Sequence, residues 1–164
     1  GASSYVPTTT VGVARAADVV TFADLTWFDG ASTSIYAEWT ARNVASAAVW
    51  LFDATNDITL NEQSGMAPRL SDAGATVAIT TGNTTAAGTV AKAAGRMATN
   101  DYAFCLNGGT VGADTAATQP GTLAASRLGL DLAGANPLNG YIRRVAAFKT
   151  SQLTDASLQA LTTG

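Results

Sequence analysis

Apolar and polar residues alternate in short runs along most of this chain, and the runs stop at Gly, Asn or Asp turns. In Tyr102-Ala-Phe-Cys-Leu-Asn-Gly108, the larger residues Tyr102, Phe104 and Leu106 alternate with smaller ones. That is the period-2 spacing of a half-buried strand, and Asn107-Gly108 is a strong hairpin signal. Asn139-Gly140 opens a second run containing Ile142, Val145 and Phe148. Further upstream, Ile35, Ala37 and Trp39 fall on one face of a strand, and Tyr36 and Glu38 on the other. Ala47-Ala-Val-Trp-Leu-Phe52 is apolar without alternation, which predicts a strand buried on both faces.

The remaining segments extend this pattern. Val19, Val20 and Phe22 lead into Leu25-Thr-Trp-Phe28, and Asp29-Gly30 closes that stretch. Ile58 with Leu60, then Arg69-Leu70, then Val77 with Ile79 predict three more strands, and Gly88–Ala98 another. The last is unusually small at Ala91, Ala93, Ala94 and Gly95; either the sheets approach closely there or that face packs on a neighbour. Gly108–Ala125 reads as a hairpin arm or a long loop, and Arg127-Leu-Gly-Leu130 as a short strand. Helical spacing appears near the end, over Thr154–Leu161: Thr154 can cap it, Asp155 suits its positive end, and Leu153 can staple onto Leu158. Strands at roughly 8–12-residue spacing that finish in one helix predict an all-β antiparallel sandwich or jelly roll.

Composition narrows the chemistry. The chain has 164 residues, enough for one domain with a sizeable core and too few for two sandwiches. The expected division is an extended arm over residues 1–15 and one sandwich domain over 16–164. Pro7 and the threonines beside it favour extended backbone in that arm, and a preceding segment is expected. A net charge of −3 argues against nucleic-acid binding. Arg143-Arg144 is the one local basic pair, and on a regular strand its side chains point to opposite faces unless a bulge intervenes. There is no histidine, so the commonest general base and the usual zinc ligand are both missing. The single cysteine, Cys105, has no internal disulfide partner and reads as a small buried thiol. No apolar run reaches the roughly 20 residues that span a bilayer as a helix.

The end of the chain, Leu138-Asn-Gly140, then Gly140-Tyr-Ile-Arg-Arg-Val145, then Leu153-Thr-Asp-Ala-Ser-Leu-Gln-Ala-Leu161, resembles the C-terminal signature of concanavalin A-like, laminin-G-like jelly-roll domains. The version it resembles most is the one in bacteriophage tail-fibre and other virion structural proteins. Ser3-Ser-Tyr-Val-Pro-Thr-Thr-Thr10, Ala14-Arg-Ala-Ala-Asp-Val19 and Ser34-Ile-Tyr-Ala-Glu-Trp39 extend the likeness over nearly the whole chain. It implies a virion module: a tail-fibre or spike domain with a lectin-like surface, or a capsid-decorating or fibre-assembly domain without a ligand. A polysaccharide-degrading enzyme is the third alternative. The partners it implies are other virion proteins, further copies of the chain and a host-surface glycan.

The residues weigh against catalysis. Jelly-roll glucanases carry a Glu-x-Asp-x-Glu strand, and here the only glutamates are Glu38 and Glu62. The expectation is therefore no enzyme and no cofactor. Calcium is the one ion to consider, because related domains hold it with loop carboxylates and carbonyls; Asp53, Asn56 and Asp57 form the best local set, although such residues also belong in plain turns. For glycan contact the candidates are Trp27, Tyr36 and Glu38, where a ring supplies a flat apolar platform and a carboxylate fixes hydroxyls. Trp39 and Trp50 are assigned to the core.

Overall fold

The computed structural model describes residues 20–22, 24–42, 47–53, 58–62, 69–71, 78–79, 84–119, 122–123, 125–129, 137–149 and 152–164. Its strands are β1 (Val20–Phe22), β2 (Thr33–Ala41), β3 (Ala47–Asp53), β4 (Ile58–Glu62), β5 (Arg69–Ser71), β6 (Ala78–Ile79), β7 (Ala91–Ala98), β8 (Asp101–Leu106), β9 (Gly112–Asp114), β10 (Ser126–Leu128) and β11 (Gly140–Lys149). One helix follows, α1 (Asp155–Thr162). The strands form a six-stranded sheet in the order β1-β10-β3-β4-β5-β6 and a five-stranded sheet in the order β11-β2-β7-β8-β9. Every pairing is antiparallel. The fold is the expected antiparallel jelly-roll sandwich with one short C-terminal helix.

Alternation along β2 and β8 creates the main core. Ile35, Ala37 and Trp39 from β2 meet Tyr102, Phe104 and Leu106 from β8, with Trp50 and Leu60 contributed by the other sheet. The small residues of β7 lie between these two strands. Gly95 sits in register between Ile35 and Phe104, and Ala93 between Ala37 and Leu106. Large side chains on the outer strands thus fill the volume that the middle strand leaves, which is how a sheet of unequal residues reaches close packing. The alanine stretch is buried within this chain, so it presents no face to a neighbour.

Two local departures from regular pairing explain sequence features. Val49 and Trp50 are successive, yet both belong to the inter-sheet core. The register of β3 against β4 slips between Ala48 and Trp50, so a bulge accounts for part of the unbroken apolar run. Leu25–Phe28, expected to continue a strand, is a turn. The Asp24 carboxylate accepts the Thr26 N–H at 2.8 Å and the Phe28 N–H bonds to the Leu25 carbonyl at 3.1 Å, an Asx-turn geometry that competes with the ladder. The Thr26 hydroxyl and amide also hold the Asp24 carboxyl below its ordinary range.

The outer face of the five-stranded sheet has its own, smaller core. Tyr36, Ala94, Ala103 and Cys105 receive Leu158 of α1, with Leu153 and Phe148 at the margin. Thr154 caps the helix by accepting the Ser157 N–H at 3.2 Å. The Arg96 guanidinium donates to Asp101 at 2.8 Å, to Asp155 at 2.5 Å and to the Leu153 carbonyl at 3.2 Å, which ties the helix start to the sheet. Burial pulls Arg96 towards neutrality, but its bonds to Asp155 and Asp101 outweigh that and hold it above its ordinary range. At the other end of α1, the buried Thr162 hydroxyl accepts the Gly108 N–H at 3.0 Å and lies 3.2 Å from the Cys105 sulfur. Cys105 is a structural thiol beneath the helix.

Candidate functional site

α1 packs on β7 and β8 and, with the residues leading into it, covers Tyr36 of β2, which leaves Tyr141, Arg143 and Arg144 of β11 exposed and Glu38 of β2 partly exposed at the other end of the same outer face. Even-numbered residues of β2 point to that face, since Trp39 and Ile35 point inward. The Tyr36 hydroxyl donates to Glu38 at 3.2 Å. Glu38 stands in register between Arg144 of β11 and Lys92 of β7, so a charged row crosses three strands. Thr40 is opposite Tyr141.

A bulge then adds a second cation. Pairing of β11 with β2 passes from Ile142↔Trp39 directly to Arg144↔Glu38, which leaves Arg143 as an extra residue. Its Nε lies 3.4 Å from the Thr40 hydroxyl, on the same face as Arg144. Adjacent residues on a regular strand would diverge, whereas these two exposed guanidinium groups share one surface. Arg42 completes the group. Its guanidinium carbon lies 4.8 Å from the centre of the Tyr141 ring, and its Nη2 donates to the Tyr141 hydroxyl. Tyr141 itself is 55% exposed. Gly140 makes this geometry accessible, because a Cβ there would stand 1.9 Å from the Thr40 carbonyl oxygen.

Beside Glu38 the surface dips into a depression of about 470 Å³, lined by Lys92, Asn107, Thr162, Thr163 and Gly164. The Lys92 ammonium donates to the Gly164 carbonyl at 3.3 Å and the Lys92 N–H to Asn107 Oδ1 at 2.8 Å, which fixes its rim. Among the described residues the shelf therefore offers guanidinium and ammonium donors, the Glu38 carboxylate as acceptor, hydroxyls and an exposed ring.

Tyr36 and Glu38 are brought together as the alternation predicts, but Tyr36 is only 7% exposed because α1 and the residues leading into it cover its ring. A ring in that position is no open platform. Burial, and after it the neighbouring Glu38 charge, raises the Tyr36 phenol above its ordinary range, so it stays protonated at neutral pH and acts as a donor to Glu38. Trp27 is not brought to this shelf. It packs against the inter-sheet core, with its ring 5.5 Å from that of Trp50 and 6.0 Å from those of Phe22 and Phe28. Trp39 and Trp50 are buried in that core, as expected. Asp53 ends β3, and its side chain, together with Asn56 and Asp57, lies outside the described residues, so the calcium expectation does too. Among the described residues, no three His, Cys, Asp or Glu side chains gather in a metal-holding group.

Arg42, Lys92, Tyr141 and the paired orientation of Arg143 and Arg144 were not singled out by sequence reasoning. The Arg-Arg pair was the available signal, and only the bulge gives it meaning.

No family model matches the chain, and no curated protein matches it. Solved structures do resemble it. A sialidase from Trypanosoma rangeli in complex with the inhibitor DANA matches with a TM-score of 0.62 at 14% identity over 81% of this chain. A heptameric SAP-like pentraxin from Limulus polyphemus matches with a TM-score of 0.61 at 11% identity, covering 80% of this chain and 70% of its own. Domain 4 of AbnA, an extracellular arabinanase of Geobacillus stearothermophilus, in complex with arabinotriose, matches with a TM-score of 0.61 at 18% identity, covering 82% of this chain and 69% of its own. This chain spans only 23% of the sialidase. At these identities the likeness establishes the sandwich fold.

Proposed function

We propose that this chain is a non-enzymatic glycan-binding module of a bacteriophage particle, presented on a tail fibre or spike for attachment to a host surface. The observation that carries the reading is the exposed β11 edge of the outer sheet face, where the Tyr141 ring stands among Arg42, Arg143, Arg144 and the partly exposed Glu38. A flat ring with planar, hydrogen-bonding side chains around it is what a sugar needs for orientation. Among its fold neighbours, AbnA domain 4 was solved with arabinotriose, which agrees with this use of the sandwich. Among the described residues the shelf carries a single side-chain carboxylate, Glu38, which supports binding without turnover, because glycosidic hydrolysis ordinarily uses a carboxylate pair. The virion setting is supported by the sequence likeness of residues 3–10, 14–19, 34–39 and 138–161 to phage fibre proteins. Self-association and contact with other virion proteins belong to the same proposal.

The test is adsorption of the labelled chain to a panel of bacterial strains, with a parallel assay for new reducing ends in their purified surface polysaccharides. Saturable adsorption that Tyr141→Ala abolishes, without reducing-end release, is the expected result. Release of sugar that Glu38→Gln prevents would show an enzyme instead.

A further inference from the structure

We infer that the shelf selects glycans carrying a carboxylate, and that Arg143 and Arg144 are the residues that read it. The inference rests on the glycan-binding reading above and adds the ligand's charge. Four of the nine basic residues of the chain, Arg42, Lys92, Arg143 and Arg144, gather at one end of one sheet face, although the whole protein carries a net charge of −3. The carboxylate there, Glu38, accepts the Tyr36 hydroxyl and stands in register between Arg144 and Lys92, so among the described residues the shelf carries four cations and one side-chain carboxylate.

Geometry favours a carboxylate over diffuse attraction. The bulge at Arg143 is a backbone device whose effect is to turn two adjacent arginine side chains to one surface. A guanidinium presents parallel N–H donors that match the two oxygens of a carboxylate, and such charge-assisted pairs are about twice as strong as neutral hydrogen bonds. Tyr141, held from one side by Arg42, leaves part of its ring for the apolar face of the sugar that bears the acid. Nucleic acid fits less well. A patch of four cations on an acidic protein lacks the extended basic track that a phosphate backbone requires.

The test uses an array of acidic oligosaccharides, each printed beside its methyl ester, with a single-stranded DNA oligomer as a second anion. Wild type is expected to bind members with free carboxylates and to lose them on esterification. Arg143→Gln and Arg144→Gln should each weaken that binding by about tenfold or more, the loss of one bidentate charged contact. Lys149→Gln, which removes the same charge at the far end of β11, should leave it unchanged. Both arginines are exposed, and an unaltered melting temperature would confirm that the variants fold. Equal binding to acid and ester forms, untouched by either Arg substitution, would overturn the inference and leave glycan binding standing. Binding of DNA as tightly as of the acidic glycans would also overturn it, as a general anion surface. Retention of no glycan of either kind would overturn both readings.

Discussion

Removing the Leu158 side chain is expected to uncouple α1 from the sheet. Leu158 is 0% exposed and rests on Tyr36, Ala94, Ala103 and Cys105. Three of those four are small residues fixed on paired strands, so little can move in to fill the space that Leu158→Ala leaves. The cost therefore belongs in the upper part of the range for buried Leu→Ala changes, about 3–5 kcal/mol. For a domain of this size that lowers the melting temperature by about 6–20 °C, taking about 2–4 °C per kcal/mol. Cys105 is the only cysteine and lies under the helix, so its reaction with a thiol reagent reports helix opening directly. A loss of about 3 kcal/mol in docking should speed that reaction by about 100-fold when opening and closing are fast. Leu161→Ala, at a site 38% exposed, should change stability by about 0.5 kcal/mol or less. Unchanged thiol reactivity in Leu158→Ala, or a melting temperature equal to that of Leu161→Ala, would refute the seating of the helix.

Three other outcomes follow from the same geometry. Gly140→Ala should destabilise by about 1–3 kcal/mol in urea titration, because its Cβ would meet the Thr40 carbonyl at 1.9 Å, and backbone must move to relieve it. Tyr36 is an acid whose folded pKa lies above its ordinary value near 10, so its contribution to stability is complete below that pH and is lost as pH rises through the folded value. Melting temperatures of wild type should accordingly fall more steeply than those of Tyr36→Phe as the pH rises above about 10; parallel curves would contradict the burial of the phenol. Trp39→Ala should cost about 3–5 kcal/mol and Trp27→Ala less but still measurably, since Trp27 is half-buried among three aromatic rings, and equilibrium unfolding of the pair ranks them.

The sandwich was legible because its signals are local. Alternation in β2 and β8 assigns faces without knowledge of partners, and Thr154, Asp155 and Leu158 mark the helix by their own spacing. Long-range effects were hidden. The burial of Tyr36 depends on a helix more than a hundred residues later in the chain, so its orientation could be read and its exposure could not. The small residues of β7 looked like a docking face until their registry with Ile35, Phe104 and Leu106 showed what fills the space. The arginine pair turned on one extra residue in β11, and period-2 reasoning assumes that no such residue exists. Trp27 was expected as a flat platform for a sugar; the turn that follows Asp24 instead carries its ring to within 5.5 Å of that of Trp50.

The most direct measurement of the central claim is an amide chemical-shift map of the isotope-labelled chain, titrated with a glycan that it binds on the array. Saturating shifts confined to Thr40, Arg42, Tyr141, Arg143, Arg144 and the neighbouring residues of β2 and β11 are the predicted result. Shifts centred on the Trp27 turn, with the outer face unmoved, would contradict it.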